Sequence, residues 1–429
     1  MREPTAILKD LVKQVHDPAI PKHERYGITS VCSAHPIVLE AALRRAASNR
    51  TPVLIEATCN QVNQEGGYTG MTPAGFRSLV ASIAVKVGCP MEAIILGGDH
   101  LGPNPWKHLP AEEAMARAGD MVASYAAAGF RKLHLDTSMG CAGEPAVLAD
   151  AVVAERAAIL AARAEAVAPG MPVYVVGTEV PVPGGALETL DHLIPTTGQA
   201  ACSTAAMTRK IFSRTLSDEV WSRVIALVVQ PGVEFSAEET VFYQPAKACG
   251  LVATLDSLPG MVFEAHSTDY QTVSHLRALV EDGFSILKVG PALTFALREA
   301  LFSLDELALV LRPGRLSLMQ VLENEMQAAP SFWKGHYDPE KADMLRLYGY
   351  SDRIRYYWSR PGIQRAVSDL LDVLKSTGLP DPLVSQFLPR FYERVRSGEI
   401  PREGMAILLA AVEDVLDDYG SACTPGRAQ

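Results

Sequence analysis

The residues best suited to chemistry fall in two short stretches, Gly97-Gly98-Asp99-His100-Leu101-Gly102 and Phe263-Glu264-Ala265-His266-Ser267. An imidazole beside a carboxylate can hold a divalent cation while the carboxylate handles a proton. His100 and His266 are therefore candidate metal ligands and Asp99 a candidate acid/base. Glu179 is the candidate third ligand. Two imidazoles and one carboxylate leave a coordination position open, as catalytic zinc sites do, and such a centre polarises a substrate carbonyl. For His134, in the stretch Lys132-Leu133-His134-Leu135-Asp136, a satisfied core group and a site residue are both open readings. The other histidines, His16, His23, His35, His108, His192, His275 and His336, read as loop or helix-surface positions. No GxGxxG follows a predicted strand, and neither GxxxxGKS/T nor GxSxG occurs. Dinucleotide redox chemistry, nucleotide-dependent phosphoryl transfer and the serine-hydrolase elbow thus lack their usual scaffolds.

These groups can cooperate only if the fold brings them to one place. Eight short apolar segments begin near Tyr26, Pro52, Ala93, Lys132, Val173, Val224, Met261 and Ser285, separated by amphipathic stretches rich in Ala and Leu. Continuous apolar runs of this length suit parallel strands covered on both faces. Eightfold strand–helix alternation predicts an α/β fold, a (β/α)8 TIM barrel, with a doubly wound sheet as the competitor. The barrel is favoured because polar residues recur at nearly every strand's C-terminal end: Ser33, Glu56, Asp99-His100, Asp136, Glu179, Gln230, His266 and Lys288. An open sheet would gather them at one switch point. The expected division is a barrel over 1–311 and an α-helical C-terminal extension over 312–429, packed on the barrel since no flexible linker precedes it.

Composition narrows the partners. Of 429 residues, 48% are hydrophobic and 21% charged, which excludes extended disorder. A net charge of -10 gives no positive field for nucleic acid or anionic lipid. No apolar run is long enough to span a bilayer, and no signal peptide is recognisable, so a cytoplasmic protein is expected. Seven scattered cysteines without a CxxC are expected to be buried, reduced thiols.

The succession ITSVCSAHPIVLEAAL, PVLIEATCNQ, GGDHLG, LHLDTSMG, VGTEVPVPGG and FEAHSTDYQTVSHLRALVEDGFSILKVG resembles the class II, metal-dependent fructose- and tagatose-bisphosphate aldolases. Across its whole length, RIRYYWSRPGIQ included, the chain looks like the family labelled tagatose-bisphosphate aldolase non-catalytic subunit or tagatose 6-phosphate kinase, whose members include D-tagatose 6-phosphate 4-epimerases. The resemblance implies a divalent metal, zinc or manganese, on His100 and His266, with Asp99 as the catalytic carboxylate. The family's third zinc histidine is replaced by Gln230, which makes Glu179 or water the substitute. Asp136 and Glu179 match acidic positions associated with a second cation and count as candidate catalytic residues. The glycine-rich phosphate loop reads His266-Ser267-Thr268-Asp269, so one of the two aldolase phosphate sites is expected to be gone. A single phosphate then suffices, and Arg353, Arg355 and Arg360 can hold it by bidentate hydrogen bonds. Ser33, Glu56, Asn60, Gln230, Ser267 and Lys288 are the remaining candidate substrate contacts. The implied activity is metal-dependent 4-epimerisation of D-tagatose 6-phosphate to D-fructose 6-phosphate by retro-aldol and aldol steps. The alternative is a non-catalytic subunit that stabilises a class II tagatose-1,6-bisphosphate aldolase. Implied partners are a phosphorylated ketose, on the alternative reading that aldolase's catalytic subunit, and further copies of the chain in a homo-oligomer.

Overall fold

The structure is a computed structural model that describes residues 5–177 and 193–425. Ten strands are present among them: β1 Ile28–Cys32, β2 Val53–Thr58, β3 Ile94–Leu101, β4 Lys132–Leu135, β5 Val173–Gly177, β6 Val224–Val228, β7 Glu234–Phe235, β8 Thr240–Val241, β9 Val262–Ala265 and β10 Phe284–Val289. β7 and β8 form an antiparallel ribbon in the segment after β6. The other eight pair in parallel and close into a barrel in the order β1-β2-β3-β4-β5-β6-β9-β10. The fold is therefore a TIM barrel, and each of the eight apolar segments contributes one barrel strand. Their near-continuous burial, complete along β3, β4, β6, β9 and β10, is what a parallel sheet covered by outer helices requires.

Helix starts follow local capping chemistry. Thr72, Thr197, Thr272 and Ser317 each accept a backbone N–H of the first turn with the side-chain oxygen. The helix Ala6–His16 lies against β6 and β9, where His16 Nε2 donates to the Met261 carbonyl at 2.7 Å, at the N-terminal end of the barrel. Beyond Leu311 the described chain is helical, and most of its buried apolar residues join the same core cluster as the barrel, while Tyr337, Ala342 and Leu345 form a small cluster of their own. The last helix, Gly404–Cys423, packs on helices Pro36–Asn49, Val273–Glu281 and Pro291–Leu311.

The thiol expectation needs one correction. Cys59, Cys89, Cys141 and Cys423 are buried, but Cys32 and Cys202 are half-buried and Cys249 is exposed. Cys249 belongs to the short helix Pro245–Val252, which buries Ala248 and Leu251 instead. Among the described residues no helix is long and apolar enough to cross a membrane.

Candidate active site

Period-two alternation sends every second side chain of a barrel strand inward. On β4 and the residue after it, that places Lys132, His134 and Asp136 on one line, and Glu264 and His266 follow the same rule on β9. β3 departs from it. Its register against β4 shifts between Gly98 and Leu101, and His100 takes a left-handed backbone with φ 47°. This bulge lets adjacent residues, Asp99 and His100, both face the mouth cavity. Two glycines make the arrangement possible. A Cβ at Gly97 would stand 2.5 Å from Glu56 Oε1, and one at Gly102 would stand 1.7 Å from the Asp136 carbonyl oxygen.

Inside the barrel, below the mouth, lies a buried ladder of charge. Lys132 Nζ donates to Glu56 Oε1 at 2.6 Å and forms an ion pair with Glu264 Oε2 at 2.8 Å, all three groups being without exposure. Lys288 Nζ bridges Glu56 Oε2 at 2.9 Å and the Asp99 carboxylate. Buried charges at these distances are mutually neutralising, and each depends on its neighbours staying charged.

The ladder ends in a triangle of imidazoles. Ring centroids of His100, His134 and His266 stand 4.9 to 5.1 Å apart. His100 Nδ1 is 2.8 Å from Asp136 Oδ2, and His266 Nε2 is 3.0 Å from Glu264 Oε1. Such carboxylate–imidazole pairs fix the ring so that its other nitrogen is the one offered to a metal. His134 differs: Nε2 donates to the Gly177 carbonyl at 3.0 Å, while Nδ1 stands 2.9 Å from Asp99 Oδ1 and 3.2 Å from the His100 backbone N–H. Burial opposes protonation of this ring, but the hydrogen bond and charge of Asp99 outweigh it and raise the His134 pKa. Burial, reinforced by the charge of Lys288, instead lowers His266 to about 3 and keeps it neutral. For Asp99, burial disfavours ionisation. The charges of His100 and Lys288 and the His134 hydrogen bond prevail, holding the carboxyl well below its usual range.

A donor atom from each of Asp99, His100, His134 and His266 lies within 4.8 Å of the others. Imidazole nitrogen with carboxylate oxygen is a donor set compatible with a divalent cation. His100 and His266, each held by its own carboxylate, fit the ligand role best, and His134 orients Asp99.

The mouth cavity has a volume of about 480 Å³ and opens at the C-terminal ends of the strands. Ser33, Asn60, Ser267 and Lys288 line it together with Asp99, His100 and His266. Of the three arginines only Arg355 does so, fixed by donation to the Asp352 carbonyl at 3.1 Å and to the Tyr356 hydroxyl at 2.9 Å. Arg353 donates instead to the Phe332 carbonyl, and Arg360 pairs with Glu325 at 3.0 Å. Glu56 sits deeper, in the ladder. Gln230 accepts the Gly232 and Val233 N–H groups at 2.8 and 3.0 Å, so it shapes the turn after β6 and does not line the cavity. Glu179 and His192 lie outside the described residues.

Other lining residues were not expected from sequence. His35 is a half-buried loop residue that caps the helix Pro36–Asn49 and also lines the cavity: it accepts the Ile37 N–H at 3.3 Å, packs edge-on against Trp358, and burial lowers its pKa to about 4. Tyr68 meets Tyr356 edge-to-face at 4.9 Å, which brings the C-terminal segment over the mouth. Asp269 also faces the cavity.

Residues 9–424 match the family described as D-tagatose-1,6-bisphosphate aldolase subunit GatZ/KbaZ-like. A protein of Agrobacterium fabrum named D-tagatose 6-phosphate 4-epimerase is 52% identical over 433 residues, covering 99% of this chain and all of that one. A solved structure from Sinorhizobium meliloti 1021, described as a probable tagatose 6 phosphate kinase, is 53% identical with a TM-score of 0.86, over 92% of this chain and all of that one.

Proposed function

The chain belongs to the D-tagatose-1,6-bisphosphate aldolase subunit GatZ/KbaZ-like family, and from that premise we propose that it is a 4-epimerase interconverting D-tagatose 6-phosphate and D-fructose 6-phosphate. The observation that carries this reading is the 52% identity, over essentially the full length of both chains, to the protein named for that activity. The site supplies suitable chemistry. C4 is β to the C2 ketone, so its C–H is not acidified and direct deprotonation has no driving force. Breaking C3–C4 is the accessible route: the C4 hydroxyl loses its proton as C4 becomes an aldehyde, and the bond's electrons move toward C3 and the C2 carbonyl. Rotation of the aldehyde and bond re-formation on its other face invert C4.

Asp99 accepts the C4 hydroxyl proton and returns it after inversion. It is ionised in the resting site, and His134 and Lys288 hold its two oxygens in fixed directions. His100 and His266 would hold a divalent cation, zinc or manganese, which would supply Lewis acidity toward the C2 and C3 oxygens. Arg355 binds the 6-phosphate. Arg355 and Lys288 are the cations lining the described cavity, and Lys288 is already committed to Asp99 and Glu56.

The family description also names an aldolase subunit, which favours a second reading: a chain that stabilises a separate catalytic aldolase. The two readings part over the isolated chain. Purified alone and supplied with divalent metal, it is expected to convert tagatose 6-phosphate to fructose 6-phosphate. Absence of conversion, with a gain in stability of a co-purified aldolase, would favour the subunit role.

A further inference from the structure

Barrel enzymes commonly bind a phosphate at the loops after the last two strands, against a helix N-terminus whose free N–H groups face the mouth. In this chain those strands are β9 and β10, and the helix is Pro291–Leu311. The position is already filled. Asp269 Oδ1 accepts the Gly290 N–H at 3.0 Å and the Ala292 N–H at 2.8 Å. Its side chain is 3% exposed yet belongs to the cavity wall. The loop is built to keep it there: Thr268 Oγ donates to the Lys288 carbonyl, and the Tyr419 hydroxyl donates to the Thr268 carbonyl at 2.7 Å. A second buried acid, Glu234, lies within electrostatic reach of Asp269.

We propose that Asp269 is a specificity-determining residue, whose carboxylate takes the anion position at the start of the last barrel helix and thereby admits a ketose with a hydroxyl there and rejects one with a phosphate. A hydroxyl can donate to the carboxylate. A phosphate finds its N–H donors taken and meets like charge in a buried setting, where repulsion is little screened. The inference rests on the ketose-phosphate reading above, and adds which residue limits the substrate to one phosphate.

The test is calorimetric and independent of turnover: the dissociation constants of fructose 6-phosphate and fructose 1,6-bisphosphate are measured for the wild type and Asp269→Ser. The wild type is expected to bind the monophosphate at least about tenfold more tightly, and Asp269→Ser to lower that preference by about tenfold or more. Should the serine variant fail to fold, Asp269→Asn keeps an acceptor for the helix N–H groups, removes the charge, and is expected to lower the preference by a smaller factor. A wild type that binds both sugars equally, or a folded variant with unchanged preference, overturns the proposal. Failure of the epimerase reading would show elsewhere, as a lack of turnover with the binding preference intact.

Discussion

Replacing Lys132 with Met tests whether the buried charge ladder underlies the site. Lys132 has no exposure and does not line the cavity, so the change removes no substrate contact. It leaves Glu56 Oε1 and Glu264 Oε2 without the ammonium that stands 2.6 and 2.8 Å away. Removing one partner of a buried ion pair costs about 3–5 kcal/mol, because the remaining charge is uncompensated. Over 429 residues, an unfolding entropy of about 2.1 cal/mol/K per residue gives about 0.9 kcal/mol/K, so Tm should fall by about 3–6 °C. The pH dependence has a definite sign. In the wild type burial opposes ionisation of Glu264, but Lys132 and the His266 hydrogen bond hold its carboxyl well below the usual range. A depressed carboxyl contributes stability above its unfolded pKa of 4.5 and loses it as pH falls. The deficit of Lys132→Met should therefore shrink toward acid pH. Lys132→Met/Glu264→Gln restores the balance of charge and should recover most of the loss at pH 7.5, measured by calorimetric melting. A single variant that melts within about 1 °C of wild type, or a double variant no more stable than the single, would refute the reasoning.

Asp99→Asn should lower turnover by ~10²–10⁴-fold while bound metal per chain stays unchanged by elemental analysis, and a fully active variant would reject the proton-transfer role. His266→Ala should abolish zinc or manganese binding in calorimetric titration, and EDTA should stop wild-type turnover until metal is restored; turnover after exhaustive chelation would reject the metal. Glu234→Gln should change the pH profile of stability. Burial raises the Glu234 carboxyl from 4.5 to about 7, a destabilisation of about 3 kcal/mol that is absent below 4.5 and complete above about 7. The variant should gain Tm over wild type as pH rises through that window, and a gap independent of pH would contradict it.

All eight barrel strands were legible because burial on both faces leaves continuous apolar runs, and Asp99, His100 and His266 because polar residues at such strand ends are conspicuous. Lys132, His134 and Asp136 carried a readable signal, spacing of two along one strand, yet an inward-facing His134 alone did not distinguish a ring positioning Asp99 from a core group. The left-handed His100 was hidden, since a bulge depends on pairing between strands. The arginines illustrate another limit: Arg353, Arg355 and Arg360 are chemically alike and close in sequence, and only the turn Arg353–Tyr356 and its packing on Tyr68 decide that Arg355 reaches the cavity. Asp269 stood in the open as a departure from a glycine-rich loop, but its bonds to Gly290 and Ala292 cross from one strand-end loop to the next.

The most direct test of C4 inversion by carbon–carbon cleavage uses D-tagatose 6-phosphate deuterated at C4, incubated with the isolated metal-supplied chain and followed by NMR. A retro-aldol route never breaks the C4–H bond. Fructose 6-phosphate should form with the deuterium fully retained at C4, at a rate close to that of the unlabelled sugar. Loss of the deuterium to water, a several-fold slower reaction of the labelled sugar, or no fructose 6-phosphate at all would contradict the account.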